Sequence, residues 1–236
     1  IANGALLAGN TTNPKDQSTS NLDLTLSGNN SVGVLATGAG SNVDTGEATF
    51  TVKGTDSAAL VIEGGAKGTI SDKTTINLTG ERTVAGVVDG QAHQLNGNTQ
   101  GNATSTTLTS NAKITSEASG NKVIAYVARS LGNLILDTKS IIDLASVDSI
   151  GVDVQKGGSL TNNSSLALHV SNGIGVRASG SSAQINKLGK IQVDDGTAGV
   201  LLTQGASLLI NGMTGDSITT DGSADGIRLA EGAGAL

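Results

Sequence analysis

The chain has no cysteine and no tryptophan, and it contains one phenylalanine (Phe50), one tyrosine (Tyr126) and one proline (Pro14). Without cysteine it has no disulfide, no thiolate metal ligand and no cysteine nucleophile. Aromatic rings normally fill the wide spaces of a globular core. We therefore expect a narrow or layered fold whose interior is built from leucine, isoleucine, valine and alanine.

Charge and long apolar runs are also scarce. Charged residues make up 14% of the 236 residues, the formal net charge is −6, and lysine and arginine are scattered along the chain. No basic stripe therefore predicts nucleic-acid binding. No apolar run approaches the roughly 18 residues that read as a membrane-spanning helix. The hydrophobic residues, 36% of the chain, are patterned, which argues against disorder.

A glycine or alanine followed by an apolar residue recurs along the chain and opens a short apolar run each time. The nine instances are Ala5-Leu6, Gly33-Val34, Ala59-Leu60, Gly86-Val87, Ala125-Tyr126, Gly151-Val152, Gly175-Val176, Gly199-Val200 and Gly226-Ile227. We call these pairs the anchors. Successive anchors are 28, 26, 27, 39, 26, 24, 24 and 27 residues apart, a period typical of solenoid repeats.

Each repeat carries two further apolar positions. One precedes the anchor, at Leu24, Phe50, Ile76, Ile114, Ile142, Leu166, Ile191 and Ile218. The other follows it, at Val43, Ile70, Leu95, Leu136, Leu160, Ile185 and Ile210, and an Asn or Asp stands close behind (Asp44, Asp72, Asn96, Asp137, Asn162, Asn186 and Asn211). Runs such as 22–26 and 48–52 alternate apolar and polar residues, which indicates strands.

Three short strands in 24 to 28 residues predict one coil of a parallel β-helix. The sequence thus predicts an all-β, three-strand-per-coil solenoid of about nine coils, forming a single domain over residues 1–236. The small anchor residue is expected where a larger side chain would crowd the next coil, and the Asn/Asp set is expected to stack as a ladder. Residues 97–107, within the long spacing, predict a loop or hairpin excursion.

The repeats, of which residues 149–162 are an example, resemble passenger domains of Gram-negative autotransporters in period and composition over the whole span from Ala5 to Gly226. The resemblance implies a right-handed coil, export through an outer-membrane barrel absent from this chain, and display at the bacterial surface or secretion. It also implies a fragment of a longer passenger. Trimeric autotransporter heads are an alternative, but their repeats are about half as long.

The resemblance implies adhesion to a host surface, matrix protein or glycan, or bacterial self-association and biofilm formation. Two alternatives stay open: a passive stalk presenting a distal domain, and a polysaccharide-degrading β-helix. An enzyme is disfavoured, because no nucleophile elbow or paired-histidine motif occurs and sugar-stacking aromatics are missing.

The excursion is the best candidate for a specific contact, because insertions in solenoids tend to mark the binding face. Its contact residues are Gly97, Asn98, Thr99, Gln100 and Asn102. We expect no cofactor and no metal; Asp194, Asp195, Asp221 and Asp225 are weak Ca²⁺ candidates that read first as turn residues. His93 and His169 are expected to be lone surface histidines.

Overall fold

The computed structural model describes residues 6–8, 22–93, 99–169, 171–208, 215–230 and 232–235. Within these ranges all regular secondary structure is β-strand. The strands are β1 (Leu6–Ala8), β2 (Leu22–Leu26), β3 (Val32–Thr37), β4 (Asn42–Asp44), β5 (Ala48–Val52), β6 (Ala58–Glu63), β7 (Lys67–Ile70), β8 (Thr75–Leu78), β9 (Val84–Asp89), β10 (Ala92–His93), β11 (Thr99–Gln100), β12 (Thr106–Ser110), β13 (Lys113–Ser116), β14 (Ile124–Arg129), β15 (Gly132–Leu136), β16 (Ile141–Leu144), β17 (Ile150–Val154), β18 (Ser159–Asn162), β19 (Ser165–His169), β20 (Ile174–Ser179), β21 (Gln184–Lys187), β22 (Lys190–Asp194), β23 (Ala198–Thr203), β24 (Ser207–Leu208), β25 (Ser217–Asp221), β26 (Asp225–Leu229) and β27 (Gly234–Ala235).

The strands form three long parallel sheets, which confirms the predicted all-β solenoid with three strands per coil. Sheet A contains β1, β4, β7, β12, β15, β18 and β21; sheet B contains β2, β5, β8, β13, β16, β19, β22 and β25; sheet C contains β3, β6, β9, β14, β17, β20, β23 and β26. The chain makes about seven turns, fewer than the nine predicted. We number the coils 1 to 8 by the strands of sheet C. The right-handed sense stays a prediction.

The apolar position before each anchor forms one continuous core column in sheet B. Leu24 pairs with Phe50, Phe50 with Ile76, and the register continues to Ile218 with every predicted member in place. Phe50, Ile76 and Ile114 are fully buried. The period-two alternation predicted this column correctly because successive strand residues point to opposite faces.

Two of the nine anchors are placed wrongly by the sequence analysis. Leu6 lies in β1 of sheet A, where it pairs with Asn42, and not in sheet C. In coil 3 the residue in the column of small anchor residues is Ala85. Gly86 lies in the next column, that of the apolar anchor residues, where it pairs with Leu60 and with Tyr126. The prediction slipped by one residue because Ala85 and Gly86 are both small. Only the first of these errors adds to the overestimated coil number, because the one-residue slip at Gly86 leaves its coil in place.

In the structure, the apolar positions that follow the anchors belong to two core columns of sheet A, which lie two residues apart along each strand. Val43, Leu134, Leu160 and Ile185 occupy one column, whereas Leu136 is paired with Asn162 in the next. A slip of two residues keeps side chains on the same face, so the pattern cannot detect it. The Asn/Asp set consequently does not stack: Asp44 pairs with Thr69. The predicted Leu95, Asn96, Ile210 and Asn211 lie outside the described residues.

The approach of the next coil explains the small anchor residue at Gly33, Gly151, Gly175 and Gly199, as the sequence predicts, whereas a Cβ added at Gly226 would meet nothing within 4 Å. A Cβ added at Gly151 would lie 2.5 Å from the carbonyl oxygen of Gly175 and 2.4 Å from Leu166 Cδ1. The same crowding recurs at Gly175, where the carbonyl oxygen of Gly199 would lie at 2.4 Å. Contacts this short force a shift of the backbone, so the column restricts itself to glycine and alanine.

The turn between sheets B and C places one left-handed residue in every coil. These residues are Asn30, Asp56, Arg82, Lys122, Asp148, Asn172, Asp195 and Gly222, with φ between 52° and 68°. Glycine, asparagine and aspartate tolerate this conformation, whereas arginine and lysine adopt it at a conformational cost. We call this series the turn ladder. Only Asp195 was predicted as a turn residue, and the series as a whole was not, because it stands on the opposite side of the anchor from the Asn/Asp set.

Candidate interaction surface

The outer faces of sheets A and B are polar. Those of sheet A carry Asn42, Asp44, Lys67, Thr69, Thr107, Thr109, Asn133, Ile135, Ser159, Thr161, Gln184 and Asn186. Those of sheet B carry Asp23, Thr25, Thr49, Thr51, Thr75, Asn77, Lys113, Thr115, Ile141, Asp143, Ser165, Ala167, Lys190, Gln192, Ser217 and Thr219. Such surfaces alternate with the core, as expected of sheets that face water on one side.

The outer face of sheet C is aliphatic over most of its width, and it is polar only in the column next to sheet A, which holds Thr37, Glu63, Asp89, Arg129, Ser179 and Thr203. Two columns of outward side chains run along it in register: Val32, Ala58, Val84, Ile124, Ile150, Ile174 and Ala198, and Leu35, Val61, Val87, Val127, Asp153, Arg177 and Leu201. We call this surface the C face. Within coils 1 to 7, only Asp153 and Arg177 among these side chains are charged.

These residues face away from the interior. Ala58, Val127, Ile150 and Ala198 are almost fully covered, yet none belongs to the hydrophobic core cluster. At the first coil Val32 is 46% exposed. A contiguous apolar patch on an otherwise polar protein typically marks an interaction site.

The two charges within the C face neutralise each other. Arg177 donates two hydrogen bonds to Asp153, at 2.8 and 2.7 Å, and Gln155 donates a third to the same carboxylate at 2.8 Å. The Asp153 residue has no solvent-accessible surface. The hydrogen bonds between Arg177 and the Asp153 carboxylate raise the pKa of Arg177 above its ordinary value, so the guanidinium is always charged. The C face therefore presents no unpaired charge at its centre.

The turn ladder forms one long edge of the C face and is charged in its middle. Arg82 binds Asp56 bidentately at 2.7 Å and holds the pKa of that carboxyl below its usual value. Next along the ladder come Lys122, which is exposed, and Asp148, which accepts a hydrogen bond from Asn172 at 2.9 Å. Between this edge and Ile124, Ile150 and Arg177 lies an open depression of about 300 Å³.

The excursion arises from the opposite edge, between β9 of sheet C and β12 of sheet A. Its base is an antiparallel hairpin in which Ala92 and His93 of β10 pair with Gln100 and Thr99 of β11. The predicted range of 97–107 extends too far, since Thr106 and Thr107 belong to β12. Gly97 and Asn98 lie outside the described residues, and Asn102 is exposed.

Two buried carboxylates hold the hairpin against sheet C. Glu63 Oε1 accepts a hydrogen bond from the His93 backbone amide at 3.0 Å, and Glu63 Oε2 lies 3.0 Å from His93 Nδ1. Asp89 accepts hydrogen bonds from Arg129 Nε at 2.6 Å and from the Gln91 amide at 2.8 Å. These contacts engage both oxygens of each carboxylate, so the cluster orders the excursion. His93 is thus engaged, not the lone histidine expected.

The weak Ca²⁺ candidates are not gathered into one site. Asp194 Oδ2 lies 2.6 Å from His169 Nδ1, and this contact lowers the pKa of Asp194. Asp225 accepts a hydrogen bond from Arg228 at 2.5 Å, while Asp221 caps its own turn at the Gly222 amide. Among the residues that the structure describes, no group of three or more histidine, aspartate or glutamate side chains is placed to hold a metal.

A polar groove of about 620 Å³ lies at the edge between sheets A and B. Asp72 and Lys139 bridge it at 2.5 Å, and the pair lowers the pKa of the aspartate and raises that of the lysine. Asp44, Glu47 and Asp137 line the rest. The groove is wide and solvated, and its two facing charges already bind each other.

The described chain has no helix with the length and apolar character required to cross a membrane. By its fold the protein is a parallel β-solenoid. Comparison with protein-family models, curated protein sequences and solved structures finds no match to this chain.

The C face was not predicted, although the sequence contains a signal for it. Strands β6 and β14 read Ala-Ala-Leu-Val-Ile-Glu and Ile-Ala-Tyr-Val-Ala-Arg, with apolar residues at both parities. An unbroken apolar run indicates a strand with two apolar faces. The runs in sheets A and B alternate between apolar and polar residues instead. Comparing the three strands of each repeat therefore identifies sheet C as the sheet with an apolar outer face.

Proposed function

We propose that this chain is part of a surface-displayed passenger that works by binding, either to a host surface or matrix component or to other bacteria, and not by chemical turnover. The observation that carries the proposal is the contrast between the polar outer faces of sheets A and B and the aliphatic C face. A solenoid that served only as a spacer has no need of an apolar exterior, which costs solubility.

The autotransporter resemblance supports the same proposal. The three-sheet solenoid has the repeat length and cysteine-free aliphatic core that the resemblance implies. We also propose, from the same resemblance, that the protein is exported across the outer membrane and displayed at the cell surface. The excursion adds a second contact region on the edge of the C face, with Thr99, Gln100 and Asn102 as its described candidates.

A binding screen on the purified chain tests the proposal. Immobilised matrix proteins, host-cell glycans and the chain itself serve as targets, and a variant in which residues 90–105 are replaced by the four-residue turn 155–158 serves as the excursion-free control. Saturable binding to at least one target is expected. Absence of binding to all of them, the chain itself included, contradicts the proposal, whereas equal binding by the excursion-free variant removes only the excursion from it.

A further inference from the structure

We infer that the C face is the contact between two copies of this chain, packed face to face with their solenoid axes antiparallel. The inference rests on the proposed function and names the partner that the C face binds. Two neighbouring features motivate it. One is the aliphatic C face, and the other is the turn ladder along its edge, in which Lys122 and Asp148 of successive coils carry opposite charges.

The size of the whole outer surface of sheet C fits a stable dimer. Its eight strands, spaced at about 4.8 Å, and about six residues of 3.3 Å each give about 34 by 20 Å, or about 680 Å². This area comprises the C face, the polar column beside it and the outward residues of coil 8. Two such faces remove about 1,350 Å² in total, within the range of about 1,200 to 2,000 Å² that specific interfaces bury. A smaller partner would leave much of the face exposed to water.

The shape and chemistry of the face favour a second copy over a different protein. The C face is a broad sheet surface, and two such surfaces pack well at about 10 Å, as the sheets of a β-sandwich do. The charged side chains of the contact surface already have partners. Asp153 binds Arg177, and Glu63 accepts hydrogen bonds from His93. Asp89 binds Arg129, and Asp225 binds Arg228, so contact leaves no charge without a partner. A twofold contact uses the same patch on both copies, which requires the patch to match itself.

The charge order along the turn ladder selects the antiparallel arrangement. With the twofold axis between coils 4 and 5, Ile124 lies opposite Ile150 of the second copy, and Ala58 lies opposite Ala198. In the same arrangement Lys122 lies opposite Asp148 of the second copy, and the symmetry repeats this attraction once. Opposite charges at the rim of an apolar contact fix its register.

Sedimentation velocity of the whole chain over a range of concentrations tests the inference. We expect a reversible monomer–dimer equilibrium that Ile174→Lys, on the C face, weakens by more than about tenfold. Ile141→Lys is the matched control, because Ile141 is an outward isoleucine of sheet B and is 49% exposed. A wild-type chain that stays monomeric throughout overturns the inference, as does an equal effect of both substitutions.

Two further variants keep the test decisive if a lysine on the C face impairs folding. The double substitution Val61→Thr/Val87→Thr keeps the branched shape of the strand residues and removes their apolarity, so it should weaken dimerisation while circular dichroism stays unchanged. Lys122→Asp and Asp148→Lys should each weaken the dimer, and the two together should restore it. Failure of the restoration overturns the antiparallel register.

The outcome is distinguishable from failure of the proposed function. If the chain is monomeric but still binds a host target in the screen, the dimer inference falls and the binding function stands. If the chain neither dimerises nor binds any target, both fall.

Discussion

Gly86 and Tyr126 are neighbours in one core column, and exchanging both for valine tests how the column is packed. Elsewhere this column holds Leu60, Val152, Val176 and Val200, all fully buried. In coil 4 the tyrosine ring fills the space that a side chain at position 86 would occupy. A Cβ at Gly86 would lie 2.7 Å from Tyr126 Cε1 and 2.8 Å from Cδ1.

The two single substitutions should both destabilise the protein. Gly86→Val overpacks the column, and overpacking typically costs about 1–3 kcal/mol. Tyr126→Val leaves a cavity and removes the hydrogen bond of 2.6 Å to Ser110, for which we expect a loss of about 2–4 kcal/mol. Combined, they rebuild the valine column of the later coils, so the double variant should lose no more than about 1–2 kcal/mol.

Denaturant unfolding followed by circular dichroism measures the three losses. The expected coupling between the substitutions is about 2–4 kcal/mol in favour of the double variant. Comparison is valid where the slope of the unfolding free energy against denaturant is unchanged. If the losses of the two single variants add in the double variant to within about 0.5 kcal/mol, the size complementarity that we describe is refuted.

Further expectations concern buried and strained groups. Burial raises the pKa of Tyr126 far above its usual value. The contribution of the neutral tyrosine to the stability of the folded protein is therefore complete below the unfolded pKa of about 10 and is lost as pH rises beyond it. Phenolate absorbance, which no tryptophan obscures, should rise only as the protein unfolds, and Tyr126→Phe should remove that part of the alkaline loss. Arg177→Leu should cost about 3 kcal/mol or more in thermal unfolding, because it leaves the buried Asp153 carboxylate with no opposite charge beside it. Adding Asp153→Val should recover most of the loss, and a double variant as unstable as the single one would contradict this. Lys122→Asn should stabilise the protein by up to about 1 kcal/mol because asparagine tolerates the left-handed turn, and Arg82→Asn should gain less because it breaks the pair with Asp56; an equal gain at both positions would argue against the assigned cause.

The predictable part of the fold is the part that rests on alternation. The column from Leu24 to Ile218 follows from period two alone, because each member is the middle residue of an alternating run. The position of Gly86 does not follow, since only the ring of Tyr126 in the next coil explains a glycine there. Alternation is equally blind to the two-residue slip at Ile70 and Leu136, whose side chains point inward in either register.

The candidate surface was less predictable than the fold. Polar insertion residues such as Asn102 are visible in the sequence, and they drew attention to the excursion. The C face depends on stacking residues that are 24 to 40 positions apart, and the pairing of Asp153 with Arg177 appears only when the coils are in register. The role of Glu63 and Asp89 is hidden for the same reason, because both look like ordinary surface carboxylates in their strands.

Single introduced cysteines test most directly whether the C face is the contact surface of this protein. The chain has none of its own, so a spin label on Val61→Cys reports the C face and one on Thr51→Cys reports the outer face of sheet B. As the chain associates, the label on Val61→Cys should lose mobility while that on Thr51→Cys keeps it. Immobilisation at Thr51→Cys with free motion at Val61→Cys would show that the C face is not the contact surface.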